Sequence, residues 1–141
     1  MSTTADYNDF NTNLINEFRA NGGKVSGMFA NSPLLLLTTT GAKSGKQRTS
    51  PLVHTTDGDR LVIIASKGGA DTHPDWYHNL LANPVATVEL PGETFTVRAR
   101  VAEGEEHDRL YAAQAALMPN FAEYQRNTSR KIPVVVLERV A

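Results

Sequence analysis

The sequence contains no cysteine among its 141 residues and no apolar run near the length of a membrane-spanning helix. The first absence excludes disulfide bonds, thiolate metal sites and cysteine nucleophiles. A helix that crosses a bilayer needs about 20 consecutive apolar residues, so no integral membrane segment is predicted. The opening residues also lack the basic and apolar regions of a signal peptide. We therefore expect a cytoplasmic protein.

A large excess of either charge is also lacking, since the formal net charge is −1. This balance does not favour nucleic-acid binding. Charge is nevertheless uneven, because residues 41–69 carry five cations against two anions, which gives +3 there and leaves −4 for the rest. A local basic site on an acidic body suits a compact anionic ligand.

The length and the 40% hydrophobic content predict one domain over residues 1–141, with residues 1–30 as a helical N-terminal segment. Within residues 6–21, the apolar side chains recur at helical spacing. They are Tyr7, Phe10, Leu14, Ile15 and Phe18. The opposite face is mostly asparagine, which favours a helix that covers the core. A peripheral contact with a membrane surface stays open.

Six strand-like segments follow, separated by glycine-containing or proline-containing turns. They cover residues 34–40, 47–56, 60–66, 85–90, 94–101 and 132–138. Helical patterns occur near residues 75–83 and over 103–118, and Pro119 interrupts the second pattern before Phe121 and Tyr124. Strands and helices do not alternate regularly. The pattern therefore predicts an α+β fold, a barrel of about six mostly antiparallel strands with an N-terminal helix and two or three short covering helices.

The turn after the first strand is rich in glycine and basic residues. It reads GAKSGKQR and contains Lys43, Ser44 and Arg48. It is not a P-loop, because three rather than four residues separate its glycines and Gln47 follows Lys46. Glycines still let a backbone approach an anion, and cations neutralise its charge. An ordinary solvated hairpin tip is the alternative.

A second segment of this kind follows the third strand, where Ala65, Ser66, Lys67, Gly68 and Gly69 combine a hydroxyl, a cation and a flexible backbone. If the second and third strands are hairpin partners, this segment and the basic turn lie near the same end of the hairpin. Their cations could then hold one phosphate. The alternative, in which both cations only solubilise loops, also stays open.

The remaining candidates are aromatic or titratable. Trp76 is predicted to belong to the core or to a pocket wall, and Tyr77 and Asn79 to the core edge or the helix surface. Stacking against a flat heterocycle is the functional alternative for the aromatic side chains. The four histidines show no metal-ligand spacing, so no metal is expected. There is also no nucleophile-elbow serine motif. Hydride transfer needs neither a protein nucleophile nor a metal, because a cofactor performs it.

Four segments together resemble a known family. They read TTTGAKSG, RTSPL, ASKGG and PDWYHNLLANP, at residues 38–45, 48–52, 65–69 and 74–84. They are similar to the deazaflavin-dependent nitroreductase family of actinobacteria, the A group of F420-dependent reductases. The resemblance extends from about residue 6 to the final strand. It implies a split β-barrel of the flavin-reductase and pyridoxamine-oxidase type that binds coenzyme F420, an 8-hydroxy-5-deazaflavin.

The resemblance also implies positions for the cofactor. Its phosphate and glutamate tail would contact Lys43, Ser44, Arg48 and Lys67, with backbone from Ser66, Gly68 and Gly69. Its ring would be lined by Ser50, Pro51, Leu52 and Ala65 and bordered by Trp76, Tyr77 and Asn79. An FMN-binding oxidoreductase on the same barrel and a non-catalytic F420 carrier are the alternatives.

The acceptor side departs from a prodrug-activating member of that family, which has tyrosines at the positions of Val53, Met118 and Phe121. We therefore do not expect reduction of bulky nitroimidazoles. The expected acceptor is a small molecule such as an enone, a quinone or a smaller nitro compound. Ser66 and Tyr124 are the candidate catalytic residues, which would orient or supply a proton. Related barrels often dimerise, so a homodimer is a further expectation.

Overall fold

Six antiparallel strands close into a barrel in the computed structural model, which describes residues 4–27, 30 and 33–140, with side chains from residue 10 onward. The strands are β1 (Leu34–Thr40), β2 (Gln47–Asp57), β3 (Arg60–Ile64), β4 (Val85–Leu90), β5 (Glu93–Ala102) and β6 (Val134–Arg139). Their order around the barrel is β1-β2-β3-β6-β5-β4, and β4 pairs with β1 to close it. The predicted antiparallel barrel is confirmed.

Four α-helices accompany the barrel in the described part of the chain, namely α1 (Thr4–Ala20), α2 (Asp75–Ala82), α3 (Gly104–Leu117) and α4 (Asn120–Arg126). The N-terminal helix and the three covering helices agree with the sequence prediction. Residues 1–3 and 28–29 of the predicted N-terminal segment, and the side chain of Tyr7, lie outside what is described. None of the helices in the described residues is long and apolar enough to cross a membrane.

Side chains alternate between the two faces of each strand, so the apolar residues form one core inside the barrel and other clusters on its outer face. Leu35, Leu37 and Ile63 point into the barrel, where they pack with Val97 and Leu137. Their sequence neighbours point outward, because successive side chains of a strand face opposite sides. α1 covers the outer face of β1 through Leu14 and Phe18. α3 and α4 cover the outer faces of β3 and β6 through a separate cluster that includes Leu110 and Phe121.

One end of the barrel, called here the α2 end, is closed by α2. Trp76 and Leu80 from this helix pack against the barrel interior. β1 and β3 finish at this end, and β2 and β6 begin there, as the pairs Thr40–Gln47 and Ile64–Val134 show. The tight turns at Gly58 and Gly92 lie at the opposite end.

Two strand boundaries differ from the sequence prediction by two residues, and the others by one residue or none. β3 ends at Ile64 instead of residue 66, because the chain turns into a short 3-10 helix at Lys67–Gly69. β6 begins at Val134 instead of residue 132. Pro133 has no N–H to donate, although its carbonyl still accepts a 3.0 Å hydrogen bond from the N–H of Ala65. The two segments therefore continue side by side beyond the regular sheet.

Candidate functional site

The basic turn, residues 41–48, is fixed by its own hydrogen bonds. The N–H of Gly41 donates to the carbonyl of Lys46 at 2.7 Å, and that of Gly45 donates to the carbonyl of Gly41 at 3.0 Å. The Ser44 hydroxyl accepts from the N–H of Lys46 at 3.2 Å. A Cβ at Gly41 would lie 2.5 Å from the Ser44 hydroxyl, so a larger residue there would displace the Ser44 side chain. The exposed cations of this turn are Lys43, Lys46 and Arg48.

Asn79 attaches the basic turn to α2. Its side-chain oxygen accepts from the N–H of Ala42 at 3.0 Å, and its amide nitrogen donates to the Thr39 hydroxyl at 3.1 Å. Both Asn79 and Thr39 are buried. The structure therefore places Asn79 behind the basic turn, with both ends of its side chain already bonded within the protein.

The β3 loop, residues 65–70, forms the second part of the candidate site. Within it the N–H of Gly69 donates to the carbonyl of Ser66 at 3.0 Å, so that predicted anion donor is already used inside the loop. Lys67 has a positive φ of 49°, a conformation that residues with a Cβ seldom adopt. Its ammonium contacts the Thr72 hydroxyl at 3.2 Å. The loop thus presents an exposed lysine on a constrained backbone.

The basic turn and the β3 loop lie at the same end of the barrel. β2 is antiparallel to both β1 and β3, so the start of β2, with Arg48, and the end of β3 both lie at the α2 end. The predicted common placement of Arg48 and Lys67 is therefore confirmed. A shared phosphate contact stays a prediction.

Four exposed cations near the α2 end have no carboxylate partner. Lys43, Lys46, Arg48 and Lys67 form no salt bridge with any carboxylate among the described residues. Several other basic side chains are paired, since Arg60 and Arg109 contact Asp57 and Arg100 contacts Glu106. The guanidinium groups that donate to Asp57 and Glu106 hold the pKa values of those carboxyls below their usual range. The cations at the α2 end thus remain available to an external anion.

The residues predicted to line a ring are not all on one face. Leu52 and Ala65 belong to the barrel interior, and Ala65 is completely buried. Ser50 points to the same side as Leu52, whereas Pro51 points outward, because side chains alternate along β2. Trp76 is a core residue. Ser50, Pro51 and Leu52 are half-buried in β2, and Ser50 and Pro51 lie nearer the α2 end than Leu52 does.

Tyr77 lies on α2. It lines a cavity of about 220 Å³ together with Leu80, Leu81, Ala99 and Val101, between α2 and the end of β5. Burial raises the pKa of its phenol. Its ring is 4.8 Å from that of His73, centroid to centroid. The structure therefore places Tyr77 on this cavity and beside His73, and its predicted contact with the ring stays a prediction.

The β3 loop lies against α4, which carries Tyr124. A Cβ at Gly69 would be 3.2 Å from both the Cα and the carbonyl oxygen of Tyr124, so the two backbones nearly touch. The Tyr124 hydroxyl accepts a 2.7 Å hydrogen bond from the Asn120 amide. Its ring packs edge-on against Phe121, with centroids 5.2 Å apart. Ser66, which is buried, and Tyr124 therefore belong to adjoining elements.

The three positions that depart from tyrosine belong to two separate clusters. Val53 packs with the α1 cluster, whereas Met118 and Phe121 pack with the α3 and α4 cluster. None of the three carries a hydroxyl. In the described residues, moreover, no group of three histidine, aspartate or glutamate side chains is arranged to hold a metal ion.

Sequence reasoning missed Arg130, in the segment between α4 and β6. Its guanidinium donates to the carbonyls of Ala65, Ser66 and Ala70 in the β3 loop. The only sequence signal is a lone arginine four residues before β6, which gives no indication of a partner 60 to 65 residues away. Thr39 was also missed, because it reads as an ordinary strand threonine.

Comparison with known proteins identifies the group of relatives. The sequence profile of the F420H2-dependent quinone reductase family matches residues 12–139. The F420H2-dependent quinone reductase Rv1261c of Mycobacterium tuberculosis is 40% identical over 126 residues, which cover 86% of this chain and 85% of that protein.

Solved structures agree with this match. A structure described as an F420-H2 dependent reductase, FDR-A, shares 42% identity and a TM-score of 0.70, covering 75% of this chain and 94% of its own. A second, described as a domain-swapped dimer, shares 37% identity and a TM-score of 0.71, covering 96% of this chain and all of its own. The predicted membership of an F420-dependent reductase family is confirmed, and the chain belongs to the F420H2-dependent quinone reductase family.

Proposed function

We propose that this protein reduces quinones with F420H2, whose acidic tail is held by the unpaired cations at the α2 end. The observation that carries the proposal is the group formed by Lys43, Lys46, Arg48 and Lys67, exposed on two rigid backbone segments with no carboxylate paired to them in the described residues. The family and its 40% identical relative supply the identity of the coenzyme and the class of acceptor.

The available side chains fit the tail of F420, which carries a phosphate and several carboxylates. Arg48 offers a planar fork that can bind phosphate in a bidentate manner, whereas Lys43 and Lys67 act as point charges. The turn backbone is bonded to itself and to Asn79, so it does not need to reorganise on binding. Ser50, half-buried on the inner side of β2 near this end, would line the adjoining ring, whereas Pro51 lies on the opposite side of the strand.

When bound, F420H2 supplies the hydride for quinone reduction. The chain's own part is to hold the acceptor and to deliver a proton to its oxygen. The Asn120 amide donates into the Tyr124 oxygen, which leaves the Tyr124 O–H free to donate elsewhere. Ser66 offers a second, buried hydroxyl on the adjoining loop. We assign both as proton-orienting residues, and Val53, Met118 and Phe121 as apolar contacts of the acceptor.

A homodimer is the proposed assembly. A relative that matches 96% of this chain is described as a domain-swapped dimer, which supports self-association. Light scattering of the purified protein at several concentrations tests it directly. Peripheral membrane contact stays a prediction.

The decisive experiment combines binding with single-turnover kinetics. We expect F420 to bind more tightly than FMN, and F420H2 to be reoxidised in stopped-flow absorbance only when a quinone such as menadione is added. The double variant Lys43→Gln/Arg48→Gln should weaken F420 binding by about 100-fold, from two lost charge-assisted contacts of about 1.5 kcal/mol each. The matched control, Lys24→Gln/Arg139→Gln, removes two exposed cations elsewhere and should change it little.

Each adverse result has a distinct meaning. Binding of F420 without quinone-dependent reoxidation would indicate the carrier alternative. Preference for FMN would overturn the cofactor assignment. Equal affinity of the double variant and its control would remove the basic turn from the site.

A further inference from the structure

Arg130, in the segment between α4 and β6, binds the β3 loop through hydrogen bonds to its backbone carbonyls. Its Nε donates to the carbonyl of Ala70 at 2.8 Å, and its Nη2 donates to the carbonyls of Ser66 at 2.9 Å and Ala65 at 3.2 Å. The three acceptors belong to the loop that carries Lys67. Because a guanidinium is planar and rigid, these bonds fix the positions of the carbonyls relative to one another.

A fourth contact completes the arrangement. Nη1 of Arg130 lies 3.0 Å from Nδ1 of His73. Arginine only donates, so this nitrogen of His73 accepts and carries no proton. Burial, and secondarily the charge of Arg130, lowers the pKa of His73, in agreement with a neutral ring. The guanidinium is therefore bonded to four neutral acceptors, and among the described residues it has no carboxylate at salt-bridge distance.

The backbone of Arg130 is itself anchored to α4. The Gln125 side chain donates to the carbonyl of Arg130 at 2.7 Å and accepts from the N–H of Ile132 at 3.0 Å. The Thr128 hydroxyl bonds to the Asp71 carboxylate at 2.7 Å, just beyond the β3 loop. Arg130 thus connects the helix that carries Tyr124 to the loop that carries Lys67.

We propose that Arg130 is a positioning residue for F420 binding, which holds the β3 loop in the conformation that presents Lys67 to the anionic tail. The left-handed φ of Lys67 is unfavourable on its own and persists only where the surroundings enforce it. The charge of Arg130, which Asp71 offsets in part, also favours an anion at the β3 loop. This inference rests on the proposed function, because Lys67 is taken to contact the coenzyme.

Two variants and a control separate positioning from simple loss of charge or fold. Arg130→Gln removes the fork and the charge, whereas Arg130→Lys keeps the charge but cannot reach all of the carbonyls. Arg109→Gln removes an exposed arginine that pairs with Asp57 at the other end of the barrel. Each is measured by amide hydrogen exchange without ligand, by equilibrium binding of F420, and by kcat and KM for F420H2.

In the ligand-free protein, we expect Arg130→Gln to accelerate exchange of the hydrogen-bonded amides of Ala65, Gly69 and Ala70, while those of Gly41 and Gly45 keep their rates. We expect the Kd and the KM for F420H2 to rise about tenfold in Arg130→Gln and about threefold in Arg130→Lys, with kcat changed less than about twofold. Arg109→Gln should match the wild type in every measurement.

Unchanged exchange in the β3 loop, or unchanged F420 affinity in a folded Arg130→Gln protein, would overturn the inference. If Arg130→Gln does not fold, Arg130→Lys decides, and wild-type affinity with wild-type loop exchange would then overturn it. Failure of the wild type to bind F420 would instead reject the proposed function. Exchange in the free protein distinguishes the two, because it does not depend on the coenzyme.

Discussion

The buried amide of Asn79 donates a 3.1 Å hydrogen bond to the hydroxyl of Thr39, and its oxygen holds the N–H of Ala42. Through these contacts one side chain of α2 sets both the end of β1 and the start of the basic turn. The basic turn is therefore supported from α2 as the β3 loop is supported from Arg130. In both places the cations are exposed while the groups that fix their backbone lie behind them.

Replacement of Asn79 by alanine should loosen the basic turn and destabilise the protein. It leaves the Ala42 N–H and the Thr39 hydroxyl without their partner, and we expect the free energy of unfolding to fall by about 2–3 kcal/mol in urea denaturation. F420 binding should weaken by about three- to tenfold, because part of the binding free energy is then used to order the turn. Asn79→Asp keeps an acceptor for Ala42 and serves as the comparison. Unchanged F420 affinity in Asn79→Ala would contradict a role for α2 in the site.

Replacement of Lys67 by asparagine removes the charge of the side chain and tests its effect while the backbone conformation is kept. Asparagine tolerates a positive φ better than most residues, so the β3 loop should keep its conformation. We expect F420 affinity to fall by about tenfold, the loss of one charge-assisted contact, and the dependence of binding on salt concentration to decrease. Lys24→Asn, in an exposed segment after α1, is the matched control. Equal affinities of the two variants would exclude Lys67 from the tail site.

Replacement of Tyr124 by phenylalanine tests proton delivery. The ring contact with Phe121 is retained and only the hydroxyl is lost, so stability should change little. We expect kcat with a quinone to fall at least about tenfold, since positioned proton donors contribute about a hundredfold or more, while the Kd for F420 stays the same. Ser66→Ala is measured in parallel. Wild-type kcat in both variants would remove both hydroxyls from the mechanism.

The barrel was predictable from sequence because its signals are local. Glycine at residues 58 and 92 and alternating strands fix the hairpins, so β2 and β3 appear within one or two residues of their predicted limits. The common end of Arg48 and Lys67 follows from the hairpin alone. The contacts of Arg130 and Asn79 do not, because their partners lie 37 to 65 residues away. Nor could similarity show that Leu52 and Ala65 face the interior while Pro51 faces outward.

His54 should make the stability of the protein depend on pH. Its Nδ1 is shielded from solvent and has no hydrogen-bond partner among the described residues, and burial lowers its pKa. Below about pH 6.5 the unfolded chain then binds more protons than the folded one. The free energy of unfolding therefore decreases as the pH is lowered. His54→Gln should reduce this fall between about pH 7 and 5.5, with a remainder from His73, whose pKa is also lowered. The exposed His78→Gln is the control, and an unchanged pH profile in His54→Gln would contradict the assignment.

Gln114 is a buried polar side chain whose hydrogen-bonding groups are not all satisfied. It is fully buried, its oxygen accepts a 3.3 Å hydrogen bond from the Thr55 hydroxyl, and its amide nitrogen has no partner among the described residues. An unsatisfied buried donor costs about 1–3 kcal/mol, whereas the long bond to Thr55 contributes about 1 kcal/mol or less. Gln114→Met keeps the volume and removes the donor.

We therefore expect Gln114→Met to raise the free energy of unfolding by about 1 kcal/mol, measured by urea denaturation at neutral pH. Gln114→Ala instead leaves a cavity in the α3 and α4 cluster and should lower it by about 2–3 kcal/mol. The pair separates the effect of polarity from that of volume. If methionine destabilises as much as alanine does, the amide nitrogen has a hydrogen-bond partner that a methionine cannot replace.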